Sequence, residues 1–252
     1  MKASLPAFIL LGLTVFFTAC KDKNEDFKIE AAPDYYALQA GKFTIYRLDS
    51  TVFTQQGRVQ ETHSYQEKDV VDHQATDGLG RPGWIVYRYI RDTAGLTSWR
   101  STGTYIIIPQ ETGVEVVENN MRSIRLISPV KEGTTWKGNR FIPADSYFAQ
   151  YLFGNDDEIT DWDFTITGVG ETTVIRNKTY SNVVTVQGID DSFNYPITVT
   201  NSFANRTFSV ERFARGIGTV YQELVMWEYQ PNPNGTPYYI GFGVKRSILD
   251  HN

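Results

Sequence analysis

The chain is divided into many short segments with the composition of β-strands, and this pattern most constrains its fold. Such segments are rich in β-branched and aromatic residues, and turn-forming residues such as Thr93-Ala94-Gly95 separate them at short intervals. The strand-like segments are 43–54, 64–74, 83–92, 99–108, 113–118, 122–128, 162–169, 171–176, 180–188, 195–201, 205–213, 217–229 and 237–247. Only residues 144–153 have helical character. The pattern predicts an all-β, mainly antiparallel fold with one short helix: a curved sheet, a sandwich or a partly open barrel.

A short motif occurs twice along the chain. Leu38-Gln39-Ala40-Gly41 precedes the strand that carries Phe43 and Tyr46, and Val130-Lys131-Glu132-Gly133 precedes Trp136. The two glycines are 133 − 41 = 92 residues apart, and we expect each to adopt a positive φ at a turn. The repeat is compatible with one β domain over residues 34–252 or with two similar β units over 34–128 and 129–252.

The N-terminus has the layout of a secretory signal. Lys2 is followed by an apolar segment over residues 5–17, which is shorter than the roughly 20 residues that a membrane-spanning helix needs. Cys20 is the only cysteine, and it lies between a small residue, Ala19, and a polar run. This arrangement resembles a bacterial lipobox, in which the thiol receives fatty acyl chains such as palmitate. We predict a signal peptide over 1–19, lipidation of Cys20 and a flexible tether over 20–33; the alternative is a plain secretory signal with an incidental cysteine.

Four further segments extend this resemblance over most of the mature chain. Together with the lipobox, they are similar to a group of uncharacterised Bacteroidetes lipoproteins; the segments are Leu38–Tyr46, Pro129–Trp136, Tyr180–Val186 and Phe213–Glu223. The resemblance implies a strongly curved antiparallel β fold on an outer-membrane lipoprotein that faces either the surface or the periplasm. Curved sheets of that kind can enclose an apolar ligand. The group has no assigned activity, so no catalytic residue is carried over.

Composition excludes several classes of function. The formal net charge is −5 and no basic block is present, which argues against nucleic acid as a partner. A single cysteine excludes an intrachain disulfide and a cysteine-rich metal site. The chain has no Gly-x-Ser-x-Gly elbow, no His-Glu-x-x-His motif and no phosphate-binding loop. Gly168-Val169-Gly170 and Gly216-Ile217-Gly218 are short fragments that strand bulges or turns explain.

Acidic residues form two clusters that could support chemistry. Asp156, Asp157, Glu158, Asp161 and Asp163 could supply several of the oxygen ligands that Ca²⁺ requires, although their spacing is not that of an EF-hand, and a solvated acidic loop is the alternative. If the Asp190-Asp191 turn converges with this loop, paired carboxylates would allow a hydrolase to act on glycans.

Aromatic residues and one threonine complete the candidate sites. Trp227, Tyr229, Tyr238 and Tyr239 flank a turn-rich loop and could stack on sugar rings, although a β core also uses such residues. Thr93, in Asp92-Thr93-Ala94, matches a short motif that Bacteroidetes O-glycosylate on exported proteins. The leading hypothesis is a non-catalytic, lipid-anchored envelope protein that binds a glycan, a protein or another ligand. A periplasm-facing carrier of an apolar ligand and the glycan hydrolase remain alternatives.

Overall fold

The computed structural model describes residues 30–155 and 157–252, which form a single sheet of twelve antiparallel strands. The strands are β1 (Phe43–Thr54), β2 (Val59–Thr76), β3 (Pro82–Asp92), β4 (Arg100–Gln110), β5 (Gly113–Glu118), β6 (Met121–Ile127), β7 (Thr135–Lys137), β8 (Asp163–Ile175), β9 (Lys178–Phe193), β10 (Ala204–Ala214), β11 (Gly218–Gln230) and β12 (Tyr238–His251). One helical turn, α1 (Phe148–Tyr151), lies between β7 and β8, and 3₁₀ turns cover Ala32–Tyr35 and Asp157–Asp161. The all-β antiparallel prediction is confirmed.

The sheet consists of two six-stranded meanders joined through β1 and β12. The spatial order is β6-β5-β4-β3-β2-β1-β12-β11-β10-β9-β8-β7, so β6 and β7 are its two edges. These edges approach each other. The Ile124 amide donates to the Gly138 carbonyl at 2.7 Å, and the Trp136 indole donates to the Ile124 carbonyl at 2.8 Å. We call this approach the seam. It gives a nearly closed, barrel-like sheet, which is the partly open barrel among the predicted architectures.

The repeated motif has the same backbone structure in both places. Gly41 and Gly133 have φ values of 85° and 82°, as expected for a turn that only glycine adopts easily. Each donates its amide to the next strand, Gly41 to Val71 and Gly133 to Ile166, both at 2.8 Å. The two turns therefore lead into β1 and β7, the first strands of the two meanders. The possible division into two similar units at 128/129 stays a prediction.

Three segments differ from the predicted elements. Residues 163–175 form one strand with bulges around Gly168, where two strands were expected. Residues 195–201 are not a strand, because the Asn194 side chain accepts hydrogen bonds from the amides of Thr198 and Val199 and closes a local turn. The helix covers only 148–151 of the predicted 144–153 and ends where Leu152 adopts a left-handed conformation with φ of 55°.

Both ends of the barrel-like sheet are covered. At the lower end, where β1 begins and β12 ends, the segment 30–42 crosses the opening and buries Ala32 and Tyr35 completely. Residues 30–33 of the predicted tether are therefore packed, whereas the signal peptide, Cys20 and the rest of the tether lie outside the described residues. At the upper end, the segment 138–162, which we call the cap, packs Tyr147, Tyr151 and Phe153 around Phe242 of β12. None of the described helices has the length and apolar character needed to cross a membrane.

Candidate functional site

The inside of the sheet carries charged residues as well as the apolar core. Alternate strand residues face inward, and some of these positions hold ionisable groups between buried apolar neighbours, as Arg88 follows Val86 and Glu211 precedes Phe213. Four carboxylates and three guanidinium groups form this inner network; they are Glu67, Asp69, Glu118, Glu211, Arg88, Arg125 and Arg246. Buried charges are stable only when they are paired and hydrogen-bonded. The pairing of each group therefore determines what the interior can bind.

Most of the network is closely paired. Arg88 makes two parallel hydrogen bonds to Asp69, at 2.8 and 3.0 Å, and a third to Glu118. The hydroxyl of Tyr105 donates to the same Asp69 carboxylate at 2.9 Å. Arg246 donates to Glu67 at 2.6 Å. Both carboxylate oxygens of Glu67 and of Asp69 accept hydrogen bonds from guanidinium groups, so these two residues are structural ion-pair partners.

Glu211 is paired through only one of its oxygens. Its Oε1 accepts a hydrogen bond from Arg125 at 2.7 Å and a long one from Gln222 at 3.5 Å. Its Oε2 is buried, and no partner for it lies among the residues that the structure describes. Burial raises the pKa of Glu211 above its ordinary value, and this effect outweighs the opposing attraction of Arg125. A buried carboxylate oxygen without a hydrogen bond lowers the stability of the fold, so this position is suited to receive a hydrogen-bond donor.

Glu211 lines a cavity of about 150 Å³ near the upper end, which we call the lumen pocket. Its wall combines aromatic rings with polar groups; among them are Tyr147, Tyr151, Trp162, Phe164, Phe242, Ser123, Arg125, Asn139, Ser209, Gln222 and Arg246. Glu118, Asn119 and Met121 of the β5–β6 hairpin and Gln150 of α1 also line it. Asn119 and Gln150 are exposed, so the pocket opens beside the seam between this hairpin and the cap. A second cavity of about 80 Å³ continues below it, past Arg246.

The four predicted sugar-binding aromatic residues lie elsewhere: Trp227, Tyr229 and Tyr239 are at the upper part of the outer face, and Tyr238 begins β12. Tyr239 contacts Trp227 at 5.6 Å and Tyr229 at 5.1 Å between ring centroids. Tyr229 is buried, and its hydroxyl donates to the Thr200 carbonyl at 2.8 Å, which gives it a structural role. Tyr238 is 38% exposed. The structure thus brings three of these residues together, and sugar binding by the group stays a prediction.

Five of the predicted acidic residues lie on the outside. Glu158, Asp161, Asp163, Asp190 and Asp191 are exposed. Asp190 and Asp191 lie within β9 and not in the predicted turn. Asp163 pairs with Lys137 at 2.9 Å, and Asp190 pairs with Arg206 of the neighbouring strand. Within residues 30–155 and 157–252, no three acidic, histidine or cysteine side chains gather as a metal ion would require. Asp156 lies outside the described residues, and the side chain of Asp157 is not described either. Calcium binding therefore stays a prediction.

Thr93 lies at an exposed position in the connection between β3 and β4, as expected. Its hydroxyl accepts a hydrogen bond from Arg47 at 2.6 Å, and its carbonyl accepts one from Gln66. Glycosylation of this residue stays a prediction.

Sequence reasoning missed the lumen pocket. The available signal was a charged residue in a strand, two positions from a large apolar residue, as in Arg88 after Val86, Glu211 before Phe213 and Arg246 before Ile248. That spacing places the charge on the buried face of a strand. It does not show that side chains from β6, β10 and β12 meet around one cavity, because their separation in sequence is large.

Comparison with known proteins identifies no family for this chain. No protein-family model and no curated protein matches the chain. A solved structure from Bacteroides fragilis NCTC 9343, described as that of a candidate exported protein with a YmcC-like fold, is 12% identical; the match covers 85% of this chain and 98% of that chain, with a TM-score of 0.37. A likeness this weak says nothing about function.

Proposed function

We propose that this protein is a non-catalytic, lipid-anchored protein of the cell envelope that binds a small polar ligand in the lumen pocket. The observation that carries the proposal is the buried Oε2 of Glu211, which has no partner in the described chain and lines a cavity with an opening. Leaving a buried acceptor unpaired costs about 1–3 kcal/mol. Proteins tolerate such local costs mainly at functional sites.

The same geometry favours a polar ligand over an apolar one. Arg125, Arg246 and Glu211 all line the pocket, and an apolar occupant would exclude water from them without replacing its hydrogen bonds. A cavity of about 150 Å³ is also small, since an apolar cavity of this size binds benzene. A long acyl chain therefore fits this interior poorly.

The exposed acidic residues give less support to a hydrolase. Asp163 and Asp190 are each 60% exposed as side chains, and each pairs with a cation on the outer face. Glycoside hydrolysis needs two carboxylates that face one substrate-binding cleft. The lumen pocket is the better supported site, and binding is the better supported activity.

Ligand-detected NMR with three small probes tests the proposal. Benzylamine, benzyl alcohol and benzoate share one ring and differ in the charge of the polar group, so together they sample the chemistry of the pocket. We expect at least one probe to bind the wild-type protein, and Met121→Trp, which fills the opening, to abolish that binding. Gln74→Trp is the matched control, because Gln74 is exposed on β2 and does not line the pocket. Absence of binding by all three probes, or binding that survives Met121→Trp, would contradict the proposal.

The lipid anchor is tested separately, through Cys20. In the native host, the wild-type protein should fractionate with the outer membrane and incorporate labelled palmitate, because several acyl chains are enough for stable retention. Cys20→Ser should lose both properties and accumulate as an unlipidated form. A Cys20→Ser protein that is still labelled and membrane-bound would exclude lipidation at this residue. Protease treatment of intact cells then distinguishes surface display from the periplasmic face.

A further inference from the structure

The lumen pocket has a particular charge pattern that identifies a class of ligand. Its two carboxylates are the partly exposed Glu118 and the buried Glu211. Each of its two guanidinium groups is already paired with a carboxylate: Arg246 binds Glu67 and the Gln222 side-chain carbonyl, and Arg125 binds Glu211. The available group is therefore an acceptor, the Oε2 of Glu211.

The formal charge of the whole inner network also favours a cationic ligand. It contains four carboxylates and three guanidinium groups, so its formal charge is −1 when every group is ionised. Glu67 and Asp69 are bound by guanidinium groups on both oxygens, and Glu118 is 36% exposed as a side chain. Glu211 alone combines deep burial, with 8% of its side chain exposed, and an unoccupied oxygen.

Aromatic rings supply the rest of a cation site. Tyr151 stacks on Phe242 at 3.8 Å between centroids, and Trp162 and Phe164 lie in the same wall. The faces of such rings attract cations, and their attraction is stronger where water is excluded. Aromatic walls together with an unpaired carboxylate oxygen suit an ammonium group attached to a compact body.

Resting on the proposed function, we infer that the ligand of the lumen pocket is a compact primary amine of about six to eight non-hydrogen atoms, whose ammonium group donates to Glu211 Oε2. The rest of the molecule packs against the aromatic wall, and the polar groups of Ser209 and Asn139, which line the same pocket, are available for further hydrogen bonds. A carboxylate ligand, in contrast, would be repelled by Glu211 and would compete with Glu211 and Glu67 for guanidinium groups that are already paired.

The same three probes test this inference by titration. At neutral pH, benzylamine should bind at least about tenfold more tightly than benzyl alcohol, because a hydrogen bond between charged groups is stronger than one to a neutral group. Benzoate should bind more weakly than either. Comparable affinity of benzylamine and benzyl alcohol, or a preference for benzoate, would overturn the inference, whereas binding of those probes in the pocket would leave the proposed function standing. If no probe binds, both fail.

Glu211→Gln identifies the group responsible. This variant keeps the shape of the side chain and removes its charge, so it should lose the preference for benzylamine over benzyl alcohol. Glu115→Gln is the matched control. Glu115 is also a buried, ion-paired glutamate, but it binds Arg81 and does not line the pocket. An undiminished preference in Glu211→Gln would overturn the assignment. If that variant does not fold, the comparison of probes on the wild-type protein still decides the ligand class.

Discussion

Glu67 and Glu211 are buried to a similar extent, but their pKa values are shifted in opposite directions. Burial raises the pKa of both carboxyls, and at Glu67 the guanidinium groups of Arg246 and Arg88 outweigh that effect, so its pKa lies below the ordinary value. At Glu211 burial outweighs the attraction of Arg125, and the pKa is raised. The two also differ at the second oxygen: Arg246 binds both oxygens of Glu67, whereas Arg125 binds only Oε1 of Glu211, which leaves Oε2 for a ligand.

Asp77 gives a residue-scale prediction about pH. Its carboxylate accepts two hydrogen bonds from the Arg81 side chain and further bonds from the amides of Arg81 and Leu79, which hold its pKa at about 2. A pKa below the unfolded value stabilises the fold above the unfolded pKa, and this contribution is lost as the pH falls through the folded pKa. We expect Asp77→Asn to lower the urea midpoint at neutral pH, with the difference from wild type disappearing between pH 3.8 and about 2.

Urea titrations at a series of pH values measure this effect. Asp191→Asn is a suitable control, since the Asp191 carboxylate is exposed and forms no ion pair in the described chain. If the difference in urea midpoint between Asp77→Asn and wild type stays constant down to pH 2, the ionised form of Asp77 is not what stabilises the fold.

At the scale of single residues, the sequence predicted backbone conformations more successfully than side-chain contacts. The positive φ of Gly41 and Gly133 followed from their place before aromatic-bearing strands, because backbone geometry there depends on local sequence. The partners of Glu211 could not be predicted. Arg125 precedes it by 86 residues and Arg246 follows it by 35, and only the closing of the sheet brings the three side chains together.

Among the elements, β7 shows where sequence patterns are insufficient. It has three residues, Thr135–Lys137, too few for an alternating pattern to be recognised, and only the glycine motif before Trp136 indicated a strand there. In contrast, β1 and β5 have the predicted bounds, because their apolar and turn residues are clearly separated. The short β7 forms one edge of the sheet, so the element with the weakest signal largely determines how nearly the barrel closes.

The seam gives an element-scale prediction. Trp136→Phe removes the indole donor that binds the Ile124 carbonyl, while it keeps an aromatic ring against Phe164. We expect a loss of about 1 kcal/mol in the free energy of unfolding and faster hydrogen exchange at the Ile124 amide, which donates to Gly138 across the seam. Chemical denaturation and residue-resolved exchange measure the two effects.

Trp84→Phe is the control for lost ring size. Trp84 is half-buried in β3, and its indole has no hydrogen-bond partner within the described residues. The Trp84→Phe variant should change the free energy of unfolding without changing hydrogen exchange at the Ile124 amide. Equal exchange at Ile124 in Trp136→Phe and in wild type would mean that the indole bond does not hold the seam.

The whole molecule has a repeated topology but a shared core. Each meander begins with the same glycine turn, yet the main apolar cluster takes Val86 and Leu126 from the first meander and Phe213 and Phe242 from the second. The 3₁₀ turn at 32–35 adds Tyr35 to the same cluster. Each meander buries its inner face against the other, so we expect the two similar halves to depend on each other for folding.

This shared core predicts that the chain folds as one unit. Separated fragments 30–128 and 129–252 should each remain unfolded, because each would expose an apolar inner face and either β1 or β12 as an unpaired edge. In the intact chain, tryptophan fluorescence and far-UV circular dichroism should report coincident unfolding midpoints, since cooperative domains unfold in one transition. The fluorescence probes are well placed for this test: Trp84 and Trp99 lie in the first half, and Trp136, Trp162 and Trp227 in the second. Dispersed NMR spectra from either isolated fragment, or two separated transitions in the intact chain, would show instead that the halves are autonomous and that the lumen pocket forms between two folded units.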